Sequence, residues 1–205
     1  MGMNKICLFG ASGHGKVIKE IVESFNGSVA AFFDDAPDTN ILLAVPVFTS
    51  DEIINFSKNK FIISIGDNVI RKQVSEKLAV TYISVVHSFA TVSDTVHIKE
   101  GTVVMAGTVI NAATAIGKHC IINTNSVVEH DCKIEDFVHI SPAATIAGNV
   151  GIGKGTHIGA GAVVIPNITI GKWCTIGAGA VVIDNIPDFA VVVGNPGKII
   201  KYNTH

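Results

Sequence analysis

The chain has 205 residues, room for one large or two small domains, with 16% charged residues and a formal net charge of -2 at pH 7. That balance carries no electrostatic footprint for nucleic acid or an anionic membrane, and no apolar run reaches the roughly 18 residues of a membrane-spanning helix. Small-molecule partners and a soluble chain are expected.

The start, Met1 to Lys5, lacks the apolar region of a secretory signal, and Ile6 stands where an N-myristoylation motif needs Ser or Thr. The reading is a cytoplasmic protein. Ile6 to Phe9 predicts a strand, Gly10-Ala11-Ser12-Gly13-His14-Gly15 a glycine-rich turn, and Lys16 to Phe25 a helix with Val17, Ile18, Ile21, Val22 and Phe25 on one face. Asn26-Gly27 stops that helix, and Ser28 to Phe33 makes a second strand ending in Asp34-Asp35. This Rossmann-like βαβ unit offers backbone N–H groups to a phosphate, with an acid about 20 residues past the glycines. The glycine order is G-x-x-G-x-G rather than G-x-G-x-x-G, so a nucleotide site and a structural turn both stay open on this motif alone. Ser50 is placed as the N-cap of Asp51 to Phe56, Phe61 to Ile65 as a third strand, and Gly66-Asp67-Asn68 as the opening of a helix from Val69 to about Leu78. Ligands of an open parallel sheet bind beyond the carboxyl ends of its strands, which groups Ser12, Gly13, His14, Asp34, Asp35, Gly66 and Asn68 into one candidate substrate pocket. Tyr82 to Val86 reads as a last strand running without a Pro-, Gly- or Ser-rich linker into the second half.

From Val86, every sixth residue to Val182 is valine or isoleucine. Four places after most of these comes a small or β-branched residue, such as Thr102, Cys120, Ser126, Ala144 or Thr156. Period six is neither the 2 of a strand nor the 3.6 of a helix. It describes a strand and a corner, and three such hexads close one triangular coil of a parallel β-solenoid, so residues eighteen apart stack. The division is an α/β domain over residues 1–85 and an all-β solenoid over residues 86–205. Cys7, Cys120, Cys132 and Cys174 form no metal-type pair and read as core fillers in a reducing compartment.

Against this aliphatic background Glu129-His130-Asp131-Cys132 departs in chemistry. A histidine beside a carboxylate suits a general base, but neighbours in a flat strand point to opposite faces, so the pair can cooperate only at a corner. Spacing alone leaves catalysis and a solvated corner histidine open. His139 and His157, eighteen apart, should stack on adjacent coils as a polar edge or a metal site. His87, His97 and His119 fall at other coil positions, which weakens the metal reading within one chain.

Gly10 to Lys16, Phe33-Asp34-Asp35, Ile65 to Asn68, Asn123-Thr124, Glu129 to Cys132, Phe137-Val138-His139, Ala147 to Gly153 and Val193 to Pro196, all in this order, resemble the bacterial sugar acetyltransferases of the PglD and NeuD type. The likeness covers nearly the whole chain. It implies a left-handed parallel β-helix, a C3 trimer, acetyl-coenzyme A in the groove between neighbouring solenoids, and a nucleotide-sugar held by the N-terminal domain. By the same resemblance His130 is the general base, oriented by Asp131 where relatives can carry Glu. His139 lies near the acetyl group or the pantetheine arm, and the backbone near Gly148, Ala160 and Ala178 lines the coenzyme groove. Ser12, Gly13, His14, Asp34, Asp35, Gly66 and Asn68 then meet the nucleotide-sugar, and Lys198 and Lys201 are either contacts for a coenzyme phosphate or solvated charges. The implied reaction is direct acetyl transfer to the amino group of a nucleotide-linked 4-amino-deoxysugar, UDP-linked in the first instance, through a ternary complex without a metal. Alternatives are O-acetylation of a sugar such as sialic acid, a trimeric zinc enzyme of the carbonic anhydrase type, and a non-catalytic nucleotide-sugar binding module.

Overall fold

The structure, a computed structural model, describes residues 5–204; the expectations drawn from Met1 to Asn4 lie outside the described residues. Strand β1 (Lys5–Phe9) alternates its side chains between two sides of a sheet. Ile6 and Leu8 pack with Ile18, Ile21 and Val22 of helix α1 (Gly13–Ser24), while Cys7 and Phe9 pack with Phe33, Phe61 and Val74 on the opposite side. Both faces are thus covered, which explains why β1 is an unbroken apolar run. Strand β2 (Ser28–Asp34), the hairpin β3 (Ile41–Leu42) and β4 (Val45–Thr49), β5 (Lys60–Ile63), helix α2 (Asn68–Lys77) and β6 (Thr81–Tyr82) complete the domain. The sheet order is β3-β4-β2-β1-β5-β6, parallel except for the β3–β4 pair.

Three local expectations change and one element is new. Helix α1 begins at Gly13 rather than Lys16, and Val17 and Phe25 lie outside its buried face, which is Gly15, Ile18, Ile21 and Val22. Ser50 begins a 3-10 turn instead of capping it; Thr49 holds the cap position and makes no side-chain cap bond. The stretch from Tyr82 to Val86 is two strands, because β6 pairs with β5 whereas Val85–Val86 pairs with Val103–Val104 in the first solenoid coil. The β3–β4 hairpin has no counterpart in the sequence reading, since its turn puts Leu43 and Ala44 at positive φ without the Gly, Asn or Asp that advertises such a turn.

From Val85 the chain is a left-handed parallel β-helix of three sheets. Each two-residue strand pairs with the strand eighteen residues on, as in His139 with Ile121 and His157. Every member of the six-residue series from Val104 to Val182 is 2% exposed or less, so the series is the core. The small inward positions stitch coils together: the Thr102 hydroxyl donates to the Gly117 carbonyl at 2.8 Å and accepts from the Cys120 N–H at 2.9 Å. Cys120 then donates its thiol to the Glu135 carbonyl at 3.1 Å. Strand Ala190–Val193 and the antiparallel strand Lys198–Tyr202 close the end.

The three outward faces differ. On the docking face the outward column runs Val85, Val103, Ile121, His139, His157 and Thr175. Its first three members are buried beneath Ile6, Leu8, Ile18 and Phe32 of the N-terminal domain. A valine face carries Thr91, Val109, Val127, Thr145, Val163 and Val181, and a polar face carries His97, Ala115, Lys133, Gly151 and Thr169. Among the described residues, no helix is long and apolar enough to cross a membrane.

Candidate active site

His130 and Asp131 sit at the corner joining the valine face to the polar face, between strands Val127–Val128 and Lys133–Ile134. The corner needs a residue at positive φ. Asp131 takes it at φ 60°, a conformation that Asp tolerates better than most residues. The bend turns the carboxylate back onto its neighbour, and His130 Nδ1 lies 2.8 Å from Asp131 Oδ2. An ionised carboxylate only accepts, so Nδ1 carries the proton and Nε2 is left as the free base. The side chains of the pair are 60% exposed, open for a second body to cover.

Gly148 lies on the next coil directly under this imidazole. A Cβ there would come within 2.7 Å of both Cε1 and Nε2 of His130. Because the obstacle is the end of a side chain rather than backbone, Gly148→Ala should fold normally and displace the ring. A displacement of about 1 Å costs up to about 10²-fold in rate, so we expect kcat to fall about 10- to 100-fold with an unchanged melting temperature. Steady-state kinetics beside thermal denaturation checks this.

A second cluster lies on the docking face below the N-terminal domain. A cavity of about 490 Å³ is lined by Gly66, Asp67, Asn68 and Val69 from the opening of α2, by His139, His157 and Thr175 from the outward column, and by Trp173 and Asn203. The rings of His139 and His157 stack at 4.8 Å with 5° between planes. Asn123 ties His139 down: its Oδ1 accepts from the Thr124 N–H at 2.8 Å, so its Nδ2 donates to His139 Nε2 at 3.0 Å. That places the His139 proton on Nδ1, which is buried with no well-formed partner, as is Nε2 of His14. Burial first, then the charges of His157, Arg71 and His14, push His139 down to about 3 against a smaller opposing pull from the Gly66 backbone. Burial, followed by Arg71, pushes His14 down to about 4, and His119 falls to about 4 for the same leading reasons. These rings are neutral hydrogen-bonding groups in the folded chain.

The sign for stability follows. Unfolded histidines take up protons below about pH 6.5, whereas the folded rings resist until about 4 or 3, so their contribution is present above 6.5 and is lost as pH falls through that window. We expect the melting temperature to drop between pH 6.5 and 4; a flat profile over that range would contradict the burial of these rings.

The remaining sequence candidates divide. Asp34 accepts from the Ala11 N–H at 3.0 Å and from the Ala36 N–H at 3.1 Å, so it shapes the glycine-rich turn, while Asp35 pairs with Lys77 at 3.2 Å. Ser12 and Gly13 are exposed at the start of α1, and Asn68 lines the cavity with its amide bonded to the Gly155 carbonyl at 3.0 Å. Ala160 and Ala178 are exposed on the corner between docking and valine faces, not beside Gly148. Sequence reasoning missed Arg71, Trp173, Thr175 and Asn203. Reading the docking column at steps of eighteen would have found Thr175, but nothing local marks the others. Among the described residues no group of three or more His, Cys, Asp or Glu is gathered as a metal ion would need.

Residues 5–78 match the PglD N-terminal domain model, and residues 149–184 match the bacterial transferase hexapeptide model of six repeats. The UDP-N-acetylbacillosamine N-acetyltransferase of Bacillus subtilis is 41% identical over 113 residues, 51% of this chain and 52% of that protein. The match therefore spans about half the length of that curated relative. PerB from Caulobacter crescentus, solved with CoA and GDP-perosamine, is 35% identical with a TM-score of 0.91, covering 98% of this chain and 99% of that one. The acetyltransferase domain of PglB from Neisseria gonorrhoeae, solved with acetyl coenzyme A, is 36% identical with a TM-score of 0.91, covering 97% and 100%.

Proposed function

The chain belongs to the nucleotide-sugar N-acetyltransferases of the PglD type, and from that membership we propose that it moves the acetyl group of acetyl-coenzyme A onto the amino group of a nucleotide-linked 4-amino-deoxysugar. His130 Nε2 takes the proton of the amine as nitrogen attacks the thioester carbonyl. The C–S bond breaks, and the departing thiolate recovers that proton from the imidazolium, which Asp131 steadies meanwhile. The four cysteines are buried, so none is presented for an acyl-enzyme, in keeping with a ternary complex. The observation carrying this reading is the 2.8 Å His130–Asp131 pair with a free Nε2 at an open corner.

That corner lies opposite the docking face, because a corner of a triangular prism faces the side it does not touch. A sugar held under a chain's own N-terminal domain is therefore beyond the reach of its own His130. The valine face supports the remedy, since its outward Val109, Val127, Val163 and Val181 contrast with His97 and Lys133 on the polar face. Three chains packed with valine faces around a C3 axis bring the His130 corner of one to the Ala160–Ala178 corner of the next. The groove between them would take acetyl-coenzyme A against Gly148, Ala160 and Ala178, with His139 and Gly66 of the second chain at its mouth.

The test is thiol release from acetyl-coenzyme A with UDP- and GDP-linked 4-amino sugars beside hydroxyl sugars such as sialic acid. Release with an amino sugar, UDP-linked first, is expected. Release only with hydroxyl acceptors would replace N- by O-acetylation, and nucleotide-sugar binding without any release would leave a binding module.

A further inference from the structure

Arg71 is 1% exposed in α2 and forms no salt bridge among the described residues, Asp67 acting on it through its charge alone, yet all five of its N–H groups are placed. Nε donates to the His119 carbonyl at 2.8 Å and Nη2 to the Phe137 carbonyl at 3.0 Å. Nη1 donates to the carbonyls of Ile65 and Gly66, both at 3.0 Å, and Nη2 also to Asn68 Oδ1 at 2.7 Å. Asn68 Nδ2 extends the set to the Gly155 carbonyl at 3.0 Å.

His119, Phe137 and Gly155 are eighteen apart, one position on three successive coils, with φ of 52°, 62° and 72°. The coil-to-coil ladder at this corner takes the carbonyls of Lys118 and Asp136 just before them, and these three point instead at α2. Two side chains thus read a column of carbonyls along the prism axis, while the other arm of the same guanidinium holds the peptides at the end of β5. Removing the guanidinium would leave these acceptors without their donor, so a stability cost is expected as well, and the readout that separates positioning from stability is ligand affinity in a folded variant.

We propose that Arg71 is a positioning residue, which with Asn68 forms a fork fixing the mouth of the nucleotide-sugar pocket at Gly66 against the solenoid face that carries His139. The proposal rests on the acetyltransferase reading for the identity of the pocket. Its geometry stands on the hydrogen bonds alone. Gly66 and His139 line the same cavity from opposite domains, and the fork is the polar connection nearest to it, the bond from the Ser88 N–H to Ser24 Oγ at 3.1 Å lying on α1 instead. The apolar contacts of Val85, Val103 and Ile121 with Ile6, Leu8 and Ile18 hold the domains together but are non-directional, so they define proximity without defining register.

The test compares wild type, Arg71→Met, Arg71→Lys and Asn68→Ser as full chains, titrating UDP, GDP and CoA calorimetrically and recording the melting temperature. For Arg71→Met we expect nucleotide affinity to weaken about 10- to 100-fold with CoA affinity within about twofold of wild type. Arg71→Lys, which keeps the charge with three donors instead of five, should fall between the two. Asn68→Ser keeps Arg71 and loses the tie to Gly155, but Asn68 also lines the cavity, so Arg71→Lys is the variant that decides the matter if Arg71→Met does not fold. Equal weakening of nucleotide and CoA, or unchanged nucleotide affinity in a folded variant, overturns the proposal. Because the readout is binding, a failure of acetyl transfer would speak to the function and not to the fork.

Discussion

Replacing His130 by alanine should lower turnover about 10²- to 10⁴-fold and leave the fold intact. The imidazole is 60% exposed and among the described residues hydrogen-bonds only to Asp131, so its removal opens no core cavity and orphans no buried group. The backbone around it is held independently, with the Asn149 N–H donating to the His130 carbonyl at 2.9 Å and the Asp131 N–H to the Ala112 carbonyl at 3.0 Å. The loss should therefore appear in kcat, with the KM for acetyl-coenzyme A and the melting temperature little changed. Asp131→Asn is the sharper companion. Asn tolerates the positive φ at this corner as Asp does, so the turn survives while the charge that steadies the imidazolium is lost. Its kcat should lie between wild type and His130→Ala. Full activity in His130→Ala would remove this residue as the base and turn attention to the neutral histidines under the N-terminal domain.

Much of the architecture was legible because it is written in a period. The step of six names the core residue by residue, and the step of eighteen stacks His139 on His157, as their rings are found at 4.8 Å. The corner that lets His130 and Asp131 meet is legible for the same reason, since two adjacent residues cannot share a face of a flat strand. What stayed hidden depends on contacts between distant segments. Arg71 looks like one cation among several on an amphipathic helix; its burial is matched by two solenoid carbonyls, those of His119 and Phe137, that face it. Asn68 was legible as a residue at a helix start but not as a tie to Gly155, 87 positions away. Trp173 and Asn203 enter the cavity from a corner and from just past the closing strand, and no motif in either stretch points there. The β3–β4 hairpin was missed because Leu43-Ala44 adopts a turn its own residues do not favour.

Mixing two inactive variants should restore activity, and this is the most direct consequence of placing the base opposite the docking face. The first partner is His130→Ala. The second is Gly66→Trp: a Cβ at Gly66 meets nothing within 4 Å, so the backbone accepts it, while the indole occupies the cavity that Gly66 lines. Each variant alone should retain below about 1% of wild-type turnover, the first for want of a base and the second for want of an acceptor pocket. If every site takes His130 from one chain and the pocket from its neighbour, equal mixing with random assembly makes each site competent when the first chain is the Gly66→Trp type and the next is the His130→Ala type. That is about one quarter of all sites in a closed ring, so about one quarter of wild-type activity is expected after co-refolding or co-expression. A site built within one chain predicts no recovery at any mixing ratio, because every chain then lacks either base or pocket. The dependence on composition adds a second check, since recovery between chains must be greatest at equal proportions and vanish toward either pure variant. Absence of recovery in mixed oligomers would require the N-terminal domain and the His130 corner of one chain to meet, against the prism geometry that separates them.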